Sequence, residues 1–142
     1  MILCDVNLLV YATVRTMPQH RRAVDWLAER LASDVPLALS HPAVFGFIRV
    51  VTNRRIFTAP RSVDDAVGDI EAWLATGALM VTPGPRHLEI AFQLLRALGV
   101  AGNLTTDVQL AALALENQAE LHSADADFRR FRGLRWVNPL DD

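Results

Sequence analysis

Apolar positions along this chain follow two periods that alternate. The runs MILCDV, VPLALS, ALMVT, AELHSA and LRWVN are short, apolar and bounded by polar or turn residues, and they predict five strands. Between them the spacing turns helical. A brief helix is expected around residues 7–12. QHRRAVDWLAERLAS places Ala23, Val24, Leu27 and Leu31 on one face, and PRHLEIAFQLLRALG does the same for Leu88, Ala91, Phe92, Leu95 and Leu98, with Gly99 as its stop. Pro42 suits the first position of a helix running towards Asn53. Ser62 opens a Ser-x-x-Asp start resembling a capping box, and Gly77 closes that helix. TTDVQLAALALENQ is apolar nearly all round, so it belongs between other elements, with Thr105 or Thr106 as its cap. Strands alternating with helices predict an α/β fold: one domain over residues 1–142, with a mostly parallel central sheet sandwiched by helices.

Composition narrows the chemistry. All fourteen basic residues are Arg, so Schiff-base formation and Walker-type phosphate binding, which need a lysine amine, are excluded. A net charge of −2 does not mark a general nucleic-acid or membrane binder. No apolar stretch reaches the length of a membrane span, and the N-terminus lacks the features of a signal peptide. The single Cys4 suits a reducing cytoplasm and reads as a small core residue of the first strand.

One residue breaks the apolar pattern. Asp5 sits within Ile, Leu, Cys, Val, Leu and Leu, where an ionised carboxylate is costly unless a cation or strong donors meet it. In parallel sheets, ligand crevices lie beyond the carboxyl ends of the strands, which is where Asp5 falls. Asp107, in the first turn of the apolar helix, and Asp125, directly after AELHSA, share that placement. Each has an ordinary reading: Asp107 complements a helix dipole, Asp125 caps the turn DADFRRF, and Asp5 is solvated at a strand end. Together, three clustered carboxylates would raise one another's pKa unless a cation neutralised them. Oxygen donors without a Cys/His set point to a hard ion, Mg²⁺ or Mn²⁺.

The segments DVNLLVYA, FIRVVTNRRIF, GNLTTDVQLAALALE and SADADF…GLRWVNPL, in that order across essentially the whole chain, resemble a PIN domain and, more narrowly, the VapC toxins of bacterial toxin–antitoxin pairs. The resemblance implies a Mg²⁺-dependent endoribonuclease that cuts RNA phosphodiester bonds and is restrained by a cognate VapB-type antitoxin. It matches Asp5, Asp107 and Asp125 to the family's metal-binding acids and Asn7 to the polar residue supporting the first. Asp127 is a further supporting candidate, set against a plain surface charge. The sequence departs from the family in one place: Gly46 stands where another acidic residue is usual. Glu116 is no substitute, because it lies about two and a half helical turns from Asp107, on the opposite side.

A phosphodiester beside an acidic site needs cations. Arg49, Arg54 and Arg55 are the candidates for RNA, with a solvated face as the alternative for each. His20, His41, His87 and His122 show no zinc spacing and read as structural, and Trp26, Trp73 and Trp136 read as core. A haloacid dehalogenase-type phosphatase also begins with a strand-end Asp, but it wants a second Asp where this chain has Asn7 and a lysine that does not exist. The remaining rival is a PIN-like domain that kept its partner surfaces while cleavage weakened, as Gly46 suggests. An apolar content of 51%, with Phe45, Phe47, Ile48, Ile56 and Phe57 around the third helix, predicts a homodimer and a groove for the antitoxin's apolar segment.

Overall fold

The computed structural model describes residues 1–141. Five strands, β1 (Ile2–Cys4), β2 (Leu37–Leu39), β3 (Leu79–Met80), β4 (Glu120–His122) and β5 (Trp136–Val137), form one parallel sheet in the order β3-β2-β1-β4-β5. Six helices connect them: α1 (Val6–Thr13), α2 (His20–Ala32), α3 (His41–Val51), α4 (Val63–Thr76), α5 (His87–Leu98) and α6 (Thr105–Glu116).

The central strands are buried on both faces, which explains their continuous apolar runs. Alternation then divides their side chains between two cores. Ile2, Cys4, Leu37 and Leu39 point into a core completed by Leu8, Leu9, Trp26, Phe47 and Ile70. Leu3, Ala38 and Leu121 point the other way, against Val108, Ala111, Leu94 and Phe128. α1 to α4 therefore cover one face, and α5 and α6 cover the other. The chain leaves β1 for β2 on one side, while β4 lies on its other side. The strand order thus reverses at β1, and the crevice this creates opens beyond the carboxyl ends of β1 and β4.

The caps at Ser40, Ser62 and Gly77 form as their residue types dictate; Ser40 Oγ accepts from the Ala43 N–H at 3.3 Å and Ser62 Oγ from the Asp65 N–H at 3.0 Å. Other expectations need correction. Val24 is exposed on α2, and Trp26 takes the inward place with Ala23 and Leu27. On α5 the buried residues are His87, Ala91 and Leu94, while Leu88 and Phe92 face outward, so the apolar stripe is offset from the one read by spacing. Neither Thr105 nor Thr106 caps α6. The helix grows out of a 3₁₀ turn, Gly102–Leu104, which supplies its first backbone geometry instead. Phe47 is fully buried and Ile48 half-buried, so neither forms the surface expected around α3. Among the described residues, no helix is long and apolar enough to cross a membrane.

Candidate active site

β1 ends at Cys4 and α1 begins at Val6, so Asp5 is the hinge between them and the N-cap of α1. Its backbone N–H is still tied to the sheet, donating to the His122 carbonyl at 3.0 Å. Its buried carboxylate is met by donors rather than by a cation. Oδ1 accepts from the Val6 N–H at 2.7 Å; Oδ2 accepts from Ser123 Oγ at 2.6 Å and from Asn7 Nδ2 at 3.2 Å. Burial still dominates: it raises the Asp5 pKa, the Ser123 and Val6 bonds pull it back, and the Asp125 charge pushes it up again.

Ser123, fully buried one residue past β4, links the acids. While it donates to Asp5, its oxygen accepts from Asn7 Nδ2 at 3.2 Å and from the Asp125 N–H at 3.0 Å. Asn7 Oδ1 accepts from the Ala124 N–H at 3.2 Å, closing the loop from α1 to the segment after β4. Asp125 caps a second 3₁₀ turn, Ala126–Arg130, accepting from the Asp127 N–H at 2.9 Å. It therefore performs the capping role that was its ordinary reading while standing beside the cluster.

Asp107 reaches the same place from α6. Among the described residues no side-chain or backbone donor holds its carboxylate, and its pKa is raised to about 6, first by desolvation and then by the charges of Asp5, Asp125 and Asp127. Four acidic side chains from three separate segments thus share one field. With Arg49, Thr106, Asn103, Tyr11 and Phe57, the carboxylates of Asp5 and Asp107 line a cleft of about 600 Å³.

The structure sorts the remaining candidates. Arg49 lines the cleft, whereas Arg54 and Arg55 are exposed in the turn after α3 and do not. Asp127 is exposed and acts at a distance, through charge. Glu116 is occupied elsewhere, accepting from the Gly84 and Arg86 N–H groups at 2.8 and 2.9 Å. Gly46 is buried against α1, where an added Cβ would lie 2.7 Å from Val6 Cγ2. From the sequence, Thr106 reads only as a helix cap and Ser123 is not named. A Ser two residues before a candidate acid is the signal that would have found Ser123; Thr106 precedes Asp107 directly.

The donor set suits a hard divalent cation, since every side chain offered is an oxygen ligand and the raised Asp107 pKa registers uncompensated negative charge. Among the described residues, no three His, Cys, Asp or Glu side chains stand together as a ready-made cage. Mg²⁺ does not require one, because it keeps several waters and takes one or two carboxylates.

The PIN domain family matches the chain over residues 2–134. A ribonuclease, VapC33 of Mycobacterium tuberculosis, is 47% identical over 141 residues, covering 99% of both chains. The VapC ribonuclease Mb2897 of Mycobacterium bovis is 48% identical over 145 residues, covering 99% of this chain and 97% of its own. Among solved structures, VapBC-1 from nontypeable Haemophilus influenzae superposes with a TM-score of 0.69 at 20% identity, covering 99% of this chain and 100% of that one. FitAB bound to the IR36 DNA fragment does so with a TM-score of 0.72 at 19% identity, covering 99% and 96%. These two structures share the fold.

Proposed function

This chain belongs to the PIN domain family, among the VapC ribonucleases, and we propose that it is the toxin ribonuclease of a VapBC-type toxin–antitoxin pair, cutting RNA phosphodiester bonds with the help of Mg²⁺ or Mn²⁺. The observation that carries this reading is that Asp5 and Asp107 line one cleft where the strand order reverses, with the Asp125 charge acting on both and Asp107 raised to about 6. Asp5, Asp107 and Asp125 are the proposed metal-binding and catalytic acids. A divalent ion held there would lower the pKa of a bound water and offset charge developing on the phosphate oxygens. Asp5 is oriented for this by the Val6 N–H, Ser123 and Asn7, which spend three of its acceptor positions and leave the remainder facing the cleft. Asn7 and Asp127 support the cluster, the first by hydrogen bonds and the second by charge. Arg49, on the cleft wall, is placed to meet a phosphate of the RNA; Arg54 and Arg55 are placed to meet phosphates farther along the strand.

A cognate VapB-type antitoxin is the proposed restraint, covering the cleft, and a homodimer the proposed assembly. Phe45, 67% exposed on the outer side of α3, supports a covered surface there. Light scattering that finds only monomer at high concentration would remove the dimer. The second reading, a domain with weakened cleavage that binds RNA or antitoxin, is favoured by one observation: Val6 fills the space at Gly46 where another carboxylate would need room. Incubating the protein with structured RNA in Mg²⁺, with EDTA and Asp5→Asn controls, separates the two. Metal-dependent cutting that Asp5→Asn abolishes supports the nuclease; its absence in wild-type protein supports the binding module.

A further inference from the structure

Beside the acidic cleft lies a second cavity of about 720 Å³, between the α1–α2 loop and the segment after α3. Met17, Ile56 and Phe57 line both, so the two cavities adjoin; the first carries the carboxylates, and in the second Val14, Met17, Ile56 and Phe57 stand beside threonines and Arg15. Each part has the volume of a small-molecule site. The second cavity is not sealed core: Ile56 is 52% exposed, and Phe57 packs on the core with one side while its other side faces the cavities. Arginines mark both parts. Arg49 lines the cleft, and the exposed Arg15 lines the far cavity. Arg61 also lines the far cavity, but it is neutralised by Asp69 at 2.7 Å.

We propose that this apolar annex is the subsite for an unpaired base of the RNA strand next to the phosphate held in the cleft; the proposal rests on the nuclease reading above. A strand entering the cleft must lead its next base somewhere, and the wall continuous with the carboxylates is apolar and carries an aromatic ring. Bases splayed from single strands bind in this way, by stacking on aromatic or apolar side chains while arginines take the flanking phosphates. Arg49 lines the cleft and Arg15 the second cavity, so each part offers a cation to a phosphate. A metal site alone would require neither the second cavity nor Phe57 on its rim. The annex therefore sets which base flanks the cut, whereas Arg49 contributes affinity without regard to sequence.

The test is fluorescence anisotropy with Ca²⁺ in place of Mg²⁺, using labelled single-stranded oligo(U) and oligo(A) octamers and an abasic ribose-phosphate octamer of the same length. Wild-type protein should bind at least one base-bearing strand roughly tenfold or more tightly than the abasic strand, the order expected for one stacked base. Phe57→Ala and Ile56→Ser should both remove that advantage, and Arg49→Ala should weaken all three strands alike. Ile56 is half exposed, so Ile56→Ser keeps the proposal falsifiable if Phe57→Ala fails to fold in a melting curve. Equal binding of base-bearing and abasic strands by wild type overturns it. So does a base advantage that survives both annex variants, or annex variants that lose only inhibition by a co-expressed antitoxin, which would make the annex a protein dock. Cleavage is read separately: a protein that shows the base advantage yet cuts no RNA in Mg²⁺ supports the annex and removes the nuclease.

Discussion

Asp5 and Asp107 face the same cleft but are held in opposite ways. Asp5 is built into the scaffold: its backbone is fixed to β4, and its carboxylate is met by a hydroxyl, an amide and a backbone N–H. Asp107 has no such donors among the described residues, and burial and neighbouring charges raise its pKa to about 6. A buried charge can be tolerated by preorganised donors or left unbalanced until a counter-ion arrives. The cluster combines both, so in the proposed metal site Asp5 would fix the position of a cation and Asp107 would gain most from its charge. The scaffolded acid should be sensitive to deletion of its partners, and the unscaffolded one to pH and metal.

One large effect is expected from forcing another carboxylate into the scaffolded half. Gly46→Glu drives a Cβ to within 2.7 Å of Val6 Cγ2, next to the N–H that holds Asp5. Overpacking of this kind costs about 1–3 kcal/mol, more than the roughly 1 kcal/mol that replacing a mid-helix Gly returns. Urea denaturation should show net destabilisation, relieved in part when Val6→Ala is added. Equal stability of Gly46→Glu and wild type would mean that α1 and α3 can separate without penalty, and that the departure at Gly46 is not enforced by packing.

Ser123→Ala should match or exceed it. It removes the 2.6 Å donor to Asp5 and leaves the Asn7 amide and Asp125 N–H without their shared acceptor. A hydrogen bond to a charged group contributes about 1.5–3 kcal/mol. The loss should be greatest at high pH, where the Asp5 carboxyl is charged, and should shrink as pH falls and the raised carboxyl takes up its proton. A uniform loss at every pH would show that Ser123 acts through packing rather than through the Asp5 charge.

Asp107→Asn should act in the opposite direction and be smaller. A carboxyl whose folded pKa lies near 6, against an ordinary value of 3.8, binds protons more tightly in the folded state, so its contribution is lost as pH rises between those values and stays low above about 6. Without metal, removing that charge should stabilise the protein at pH 7.5 by roughly 1 kcal/mol once solvent screening at this half-buried site is allowed for. At pH 4 the gain should be small. Chemical denaturation at the two pH values checks this, and a variant destabilised at pH 7.5 would show that Asp107 is already paired.

Much of this contrast was legible in the sequence because strand ends and helix starts are local features. Asp5 interrupts an apolar run, Asp107 sits in a helical first turn and Asp125 follows a strand, so a parallel sheet places all three on one side. The support for Asp5 was not legible. Ser123 Oγ and Asn7 Nδ2 reach it through a pairing of β1 with β4 that spans most of the chain, and no local period reports that. The α5 stripe was misplaced for a related reason. Leu88 and Phe92 fit helical spacing as well as His87 and Leu94 do, and only packing on α6 decides which pair turns inward. Arg54 and Arg55 looked equivalent to Arg49, yet α3 ends at Val51, so the turn carries them off the cleft wall.

The division of roles between the two acids is tested most directly by the Asp107 carboxyl itself, followed by carbon-detected NMR as a function of pH without divalent metal and then with 10 mM Mg²⁺. A midpoint near 6 is expected in metal-free buffer, moving below the ordinary value near 3.8 when Mg²⁺ is present, with Asp5→Asn abolishing the shift. An Asp107 midpoint unchanged by Mg²⁺ would contradict the account: the carboxylates would then share a field without sharing a cation.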